Sequence, residues 1–425
     1  MTDAARGVQR TYLLLTLLTT LAASFIWGVN TLFLLDAGLS NAEAFAANAF
    51  FSVGQLVFEI PTGVLADTRG RRFSFLLGAG TLLASTLVYL LMWQMHAPLW
   101  GFAIASILLG LGFTFFSGAT EAWLVDALGA SGFTGSLESI FGRAQVVAGG
   151  AMLTGSVAGG VIAQFSNLGV PYVVRAAMLG VTLVVAWWFM HDIGFTPERG
   201  VTTGKAIRNV IGGAVDGGLR NRPVRWLMLA SPIVGGVGFY AFYAFQPYLL
   251  ELYGDPNAYS IAGLAAAIVA GAQILGGIIV PRVRRLFRRR TDALILGGVL
   301  NVVLLALVGI MPIFWLAIAL LATWALIFAF EMPLRQAFIN GLIPSEQRAT
   351  VLSFDSFMGS AGGVVIQPSL GRVADVFGYP ASYVVSAAIL ALAVPFTYLA
   401  RRENAPSDPI RVTSEEPEVA VAPSA

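Results

Sequence analysis

The sequence predicts an all-α membrane protein of twelve transmembrane helices in two pseudo-symmetric six-helix bundles. Three observations predict it. Apolar residues make up 57% of the chain and charged residues 11%, against about 25% charged in a soluble domain. The charges fall between apolar runs of roughly 20 residues, the length one helix needs to cross a bilayer. Sorting the 25 Lys and Arg residues by loop puts all but two on one face, the exceptions being Arg175 and Arg372, read here as span ends. The positive-inside rule produces that split in a multi-pass protein of the cell inner membrane with both termini in the cytoplasm. Finally, the halves repeat. Tyr172-Val-Val-Arg-Ala-Ala-Met-Leu179 recurs as Tyr383-Val-Val-Ser-Ala-Ala-Ile-Leu390, and the pairs Glu121/Glu331 and Gly63/Gly277 recur at nearly the same separation. Duplicated bundles of this kind hold a site between the halves and rock around it.

In order, the spans read as 11–35, 42–66, 73–95, 99–127, 141–164, 170–193, 225–250, 258–281, 292–311, 313–341, 349–371 and 380–400. The first run is too long for a signal peptide and lacks a cleavage-like end, so it reads as a retained helix. The short links at 36–41, 94–98, 165–170, 251–257 and 372–379 impose antiparallel neighbours. Residues 194–224, with Arg199, Lys205, Arg208, Arg220 and Arg222, read as a cytoplasmic linker between bundles at 1–193 and 225–402. The tail at 403–425, rich in Pro, Ser, Glu and Ala, is expected to be disordered.

Composition also excludes. The chain has no Cys, and its two His, His96 and His191, fall at span ends. No disulfide, metal site or cofactor is therefore expected. The net charge of +2 is explained by topology and implies no nucleic-acid partner. No G-x-x-x-x-G-K-[ST] loop is present to bind ATP, and no nucleophile–base pair suggests an enzyme.

The most specific motif joins spans 2 and 3: Gly63-Val-Leu-Ala-Asp67-Thr-Arg69-Gly70-Arg71-Arg72. The residue types suggest a close helix approach at Gly63, a helix end at Asp67, a tight turn at Gly70 and an arginine free to reach carboxylates. The segment resembles the signature loop of the major facilitator superfamily. That resemblance, over roughly residues 10–400, implies the family's two-lobed fold, a monomer, and ion-coupled alternating access. It makes Gly63, Asp67, Gly70 and Arg71 latch residues, with Asp126 a partner for the arginine. The matching loop of the second half has Pro281 where an acid would stand. Arg288, Arg289 and Arg290 beyond it suit anionic lipid headgroups. On span 5, Gly142, Gly155, Gly159 and Gly160 match the spacing of the family's drug/proton antiporter motif, with Ala151 and Ser156 departing from it.

Ionisable groups inside spans need a reason, since each costs about 2.5–3.5 kcal/mol on insertion scales. Glu59 on span 2 and Glu121 on span 4 are candidates for proton coupling, because desolvation favours the neutral carboxyl. Glu331 and Arg335, one turn apart on span 10, read as an i,i+4 pair. On span 7, Tyr240, Tyr243 and Gln246 share a face and suit an apolar cavity for a lipophilic, cationic substrate. Asn30 and Trp27 on span 1 are weaker cavity candidates, and Glu331 joins them from span 10. Asp36 reads as solvated at the end of span 1. The resulting expectation is a transporter exporting small drug-like solutes by proton antiport, its partners being that solute, protons and membrane lipids. Uptake of a metabolite such as a sugar or organic acid, or a non-transporting sensor or scramblase, are the alternatives.

Overall fold

Long apolar runs with little charge leave one way to satisfy the backbone in lipid, the helix. The computed structural model describes residues 2–197, 214–343 and 345–410, with isolated positions 204, 208 and 212. Among them the chain is almost wholly helical. Eleven helical stretches are long and apolar enough to cross a membrane. The last of these turns back at Gly378 (φ 81, ψ 167), so it supplies two spans and the total is twelve. The expected loop at 372–379 is thus a single-residue corner, followed at once by Pro380.

Spans 1 and 4 are broken rather than continuous. Span 1 is Asp3–Trp27 followed by Asn30–Asp36. Span 4 is Leu99–Thr114 followed by Ala119–Ala130, with Gly118 in the left-handed region at φ 69. The remaining spans of the first half are Asn41–Arg69, Arg71–Gln94, Leu137–Phe165 and Val170–Phe189. Those of the second half are Arg222–Tyr253, Tyr259–Val283, Arg290–Ile310, Phe314–Asn340, and the two parts of Ser345–Ala391, continued by Val394–Arg402. Trp100, Phe165, Trp188 and Trp315 are each more than two-thirds exposed, as an aromatic belt facing headgroups requires.

Each half centres on an aromatic cluster, and the clusters reach across: Phe45 joins that of the second half, and Leu250 and Ala262 join that of the first. In the first half Phe33 stacks on Tyr172, with ring centres 3.9 Å apart. In the second half Tyr240, Tyr248 and Tyr383 are wholly buried together. The repeated octamer therefore marks equivalent places, since Tyr172 and Tyr383 sit at the centre of both clusters.

The halves meet on the side away from the basic loops. The start of span 2 is capped by an acid from span 11: Asp375 accepts from the backbone N–H groups of Asn41 (2.8 Å) and Ala42 (3.0 Å). A carboxylate suits the positive end of a helix dipole. Ser40 and Glu43 complete a capping box at that same helix end. Gly28 and Gly160 press against the backbone of Gly263, where an added Cβ would collide.

Two expectations change. Arg175 is no span end: its side chain is 2% exposed, inside span 6. Its Nε donates to Thr86 Oγ1 (3.0 Å) and Nη1 to the Ala22 carbonyl (3.4 Å). The eight residues after Arg402 also depart from the expected disorder, because they have polar groups to answer. Asp408, 1% exposed, caps span 9 by accepting from the Thr291 N–H (2.9 Å) and hydroxyl (2.8 Å). Ser407 donates to the Phe338 carbonyl (2.7 Å), and Arg289 pairs with Pro409 in an isolated bridge. Arg199 and Lys205 of the linker, and the tail from Arg411, lie outside the described residues.

Candidate transport site and the loops around it

A cavity of about 560 Å³ lies between spans 1, 4 and 5, in the half of those spans nearer the basic loops. Its walls are aromatic: Trp27 at the closed end, Phe113 and Phe116 on span 4, and Phe141 on span 5. Thr16, Thr20, Ser24 and Gln145 supply its polar contacts, and Glu121 is part of its lining. A second recess of about 540 Å³ adjoins it, with Gln55 and Ser117 on either side of the same Glu121. Trp27 closes the far end edge-on against Phe242 of span 7, at 6.3 Å between ring centres.

The break in span 4 places the acid. Gly118 takes a φ that other residues rarely adopt, and helix resumes at Ala119, so Glu121 falls in the first turn. The freed carbonyls are not left bare. Thr62 of span 2 donates to the Thr114 carbonyl (3.2 Å), and Ser74 of span 3 to that of Phe115 (2.9 Å). Ser117, in the break itself, donates to Glu59 (2.6 Å). Glu59 and Glu121 are both exposed. Neither carboxyl is therefore desolvated in this conformation; Glu121 lines the cavity, and Glu59 stands beside it through Ser117.

The signature loop is built as follows. Arg71 pairs with Asp67 and lies 3.8 Å from Asp126. Gly70 turns at φ 113, directly beneath Asp192, whose carboxylate accepts from the Arg72 N–H (2.8 Å) and would collide with any Cβ at position 70. Asp192 was not singled out from the sequence; its signal is only an acid just past span 6. Gly63 departs from its expected role, because a Cβ there would meet nothing within 4 Å. Close approaches come instead at Gly155 and Gly159, which pack on Ser24 and Phe25 of span 1.

The other cavity candidates lie elsewhere. Gln246 splints the break in span 1: its Nε2 donates to the Trp27 carbonyl (2.8 Å) and its Oε1 accepts from the Thr31 N–H (2.9 Å). It thereby ties span 7 to span 1. Asn30, 7% exposed, donates to Asn48 (2.6 Å) and accepts from Tyr172 (2.8 Å). Tyr240 is wholly buried, bonded to Ser382 (2.5 Å) and packed on Phe45. Tyr243 packs against Phe242. None of these lines the cavity; the polar groups of Gln246, Asn30 and Tyr240 are taken up where helices break or cross. Asp36 accepts from Trp93 Nε1 (2.8 Å).

The Glu331–Arg335 pair does not form. Arg335 turns to Asp355 of span 11 (Nη2–Oδ1, 2.7 Å), Ser231 (2.6 Å) and the Leu227 carbonyl (3.1 Å). Glu331 turns instead to span 9, where Asn301 Nδ2 donates to it at 3.1 Å. Asp355 is 7% exposed. It went unremarked because its partner lies on another helix.

Comparison with known proteins agrees with this architecture. An uncharacterized MFS-type transporter of Methanocaldococcus jannaschii is 24% identical over 184 residues, 43% of this chain and 46% of that protein. The match thus spans about half of that relative's length. Among solved structures, the nucleoside transporter NupG superposes with a TM-score of 0.76 at 10% identity, over 94% of this chain and 99% of its own. A bacterial homolog of the human lysosomal transporter Spinster, inward-facing and occupied, gives 0.72 at 14% identity, over 95% and 98%. The human organic anion transporter MFSD10 gives 0.64 at 14% identity, over 93% and 100%. At such identities the likeness shows the fold. The family model described as Major Facilitator Superfamily matches residues 12–365 and again 285–423, and the chain therefore belongs to the major facilitator superfamily, a family of membrane transporters and not of enzymes.

Proposed function

We propose that this protein is a secondary active transporter that exports small lipophilic, drug-like solutes by proton antiport. The observation that carries the reading is the aromatic cavity in the half of the molecule nearer the basic loops, with Glu121 in its lining. The basic face is taken as cytoplasmic, by the positive-inside rule, with both termini on that side of the cell inner membrane. A lipophilic cation entering from the cytoplasm meets aromatic faces, which attract cations, and then a carboxylate. Proton and cation compete for that carboxylate, so release of one accompanies binding of the other. Glu59, held by Ser117 beside the same cavity, is the second group in the exchange. Arg71, Asp67 and Asp126 hold the loop between spans 2 and 3 as the halves rock, and Gln246 and Asp375 seal the far side while the cavity is loaded. The solute, protons and surrounding lipid are its partners, and the transporter acts as a monomer.

The test is a panel of lipophilic cations on reconstituted vesicles with an imposed pH gradient. Wild type should accumulate at least one of them against its gradient. Glu121→Gln should lose that accumulation, and Glu59→Gln should weaken it about tenfold, the factor that corresponds to one lost interaction of about 1.4 kcal/mol. If both variants accumulate the compound as wild type does, proton exchange at these acids is excluded.

A further inference from the structure

The second half holds a carboxyl whose surroundings make sense in one protonation state. Glu331 of span 10 lies flat on span 9. Its Oε1 occupies the space above Gly297, where any Cβ would collide with it. One turn along span 9, Asn301 donates its Nδ2 to Glu331 Oε2 at 3.1 Å. Asn301 is 4% exposed, and its Oδ1 is buried with no hydrogen-bond partner. A buried carbonyl oxygen without a donor is costly. A carboxylate offers no donor, whereas a carboxylic acid offers one O–H.

We propose that Glu331 and Asn301 form a second proton-binding site, in which the neutral acid and the amide close a reciprocal pair. The amide N–H donates to one carboxyl oxygen, and the acid O–H donates to the amide oxygen. Turning the amide over does not remove the requirement. Its oxygen would then face Glu331 at 3.1 Å, where again only a protonated carboxyl can donate. Glycine at 297 and asparagine at 301, at i and i+4 on one face of span 9, make the cradle: one leaves room for the carboxyl and the other binds it.

Of the charged groups nearby, Arg335 acts on Glu331 through space and without a bond to it. Arg335, one turn away on the same helix, spends both terminal nitrogens on Asp355, Ser231 and the Leu227 carbonyl. On span 9, Asp292 pairs with Arg401 (2.6 Å). Span 8 contributes ionisable groups only at its ends, Tyr259 and Arg282. From span 7, Ser231 reaches the Arg335 network rather than Glu331. Release of the proton would leave a carboxylate facing an acceptor, so deprotonation requires spans 9 and 10 to separate or water to enter. That couples the protonation of Glu331 to the arrangement of the second half. Its use in driving export rests on the proton-antiport reading above; its existence as a proton site does not.

Infrared difference spectroscopy separates the two. The full-length protein is taken in a detergent without ester carbonyls, at neutral pH and with no solute. Wild type minus Glu331→Gln should show the carbonyl stretch of a protonated carboxyl, shifted on transfer to deuterium oxide. In Asn301→Leu, which keeps the acid and removes its partner, the band should persist at higher frequency. Absence of the band from wild type, or its survival in Glu331→Gln, overturns the site, because Asn301 Oδ1 must then take its donor from water beside a carboxylate. An unchanged frequency in Asn301→Leu overturns the pairing. None of these readings depends on the vesicle assay, whose failure would remove antiport without touching the band.

Discussion

The two halves cross span 1 over span 5 and span 7 over span 11 in the same way, yet they spend the crossing differently. In the first half Ser24 donates to a backbone oxygen, that of Ala151 (3.1 Å), and the neighbouring space is the open aromatic cavity. In the second half Ser231 donates to the Asp355 carboxylate (2.6 Å), and Arg335 fills the neighbouring space. The comparison teaches that duplication set the frame, while one acidic side chain decided which crossing stays open. A charge pair placed at such a crossing locks it; an alanine there leaves room for a ligand. Helix breaks follow the same division. Span 1 is interrupted after Trp27, whereas span 7 runs unbroken from Arg222 to Tyr253 despite Pro232 and Pro247 inside it. In transporters, irregular backbone at membrane depth is tolerated where it lines a cavity, and here the broken spans 1 and 4 both line it, alongside the unbroken span 5.

Breaking the locked crossing should have the largest effect. Asp355→Ala leaves Arg335 without its counter-ion in a mostly buried place, and losses of about 3–5 kcal/mol are usual for one partner removed from such a pair. Thermal unfolding followed by tryptophan fluorescence should show a clear fall in midpoint. At the first-half crossing, Ser24→Ala removes one neutral hydrogen bond worth about 1 kcal/mol and should barely move it. If the two variants melt alike, the halves do not differ as described. A smaller effect separates two glycines of the signature loop. Gly70→Ala puts a side chain at φ 113 under Asp192, a strain of about 1–3 kcal/mol. Gly63→Ala fills open space inside a helix and should be neutral or stabilising by up to about 1 kcal/mol. The smallest effect is expected at the end of the second half. Asp408→Ala removes the cap on span 9 at a cost of about 1 kcal/mol, which hydrogen exchange at the start of that span should detect.

Much of this was legible from the chain. Apolar length and the sidedness of arginine are properties of single segments, so the spans and their alternation follow without knowing which helices touch. The signature loop was legible for the same reason: Asp67, Gly70 and Arg71 are neighbours along one turn. Legibility ended where a residue answers to another helix. Arg335 prefers Asp355 to its own-helix neighbour Glu331, because the acid on span 11 takes two guanidinium nitrogens at once. Tyr240 and Gln246, on one face of span 7, and Asn30 on span 1 suit a cavity by side-chain type and spacing. Their polar atoms are taken up by Ser382, by the broken backbone of span 1, and by Asn48 and Tyr172.

Hydrophobicity, charge and turn chemistry act locally, so the chain alone specifies a duplicated membrane protein of twelve spans and the loop that carries its family's signature. Packing between helices sets where spans 1 and 4 break, which crossing is locked, and that Arg175, Glu331 and Asp355 turn inward. Those outcomes depend on which backbone oxygens are freed and which helix lies opposite, and neither is written in any one segment.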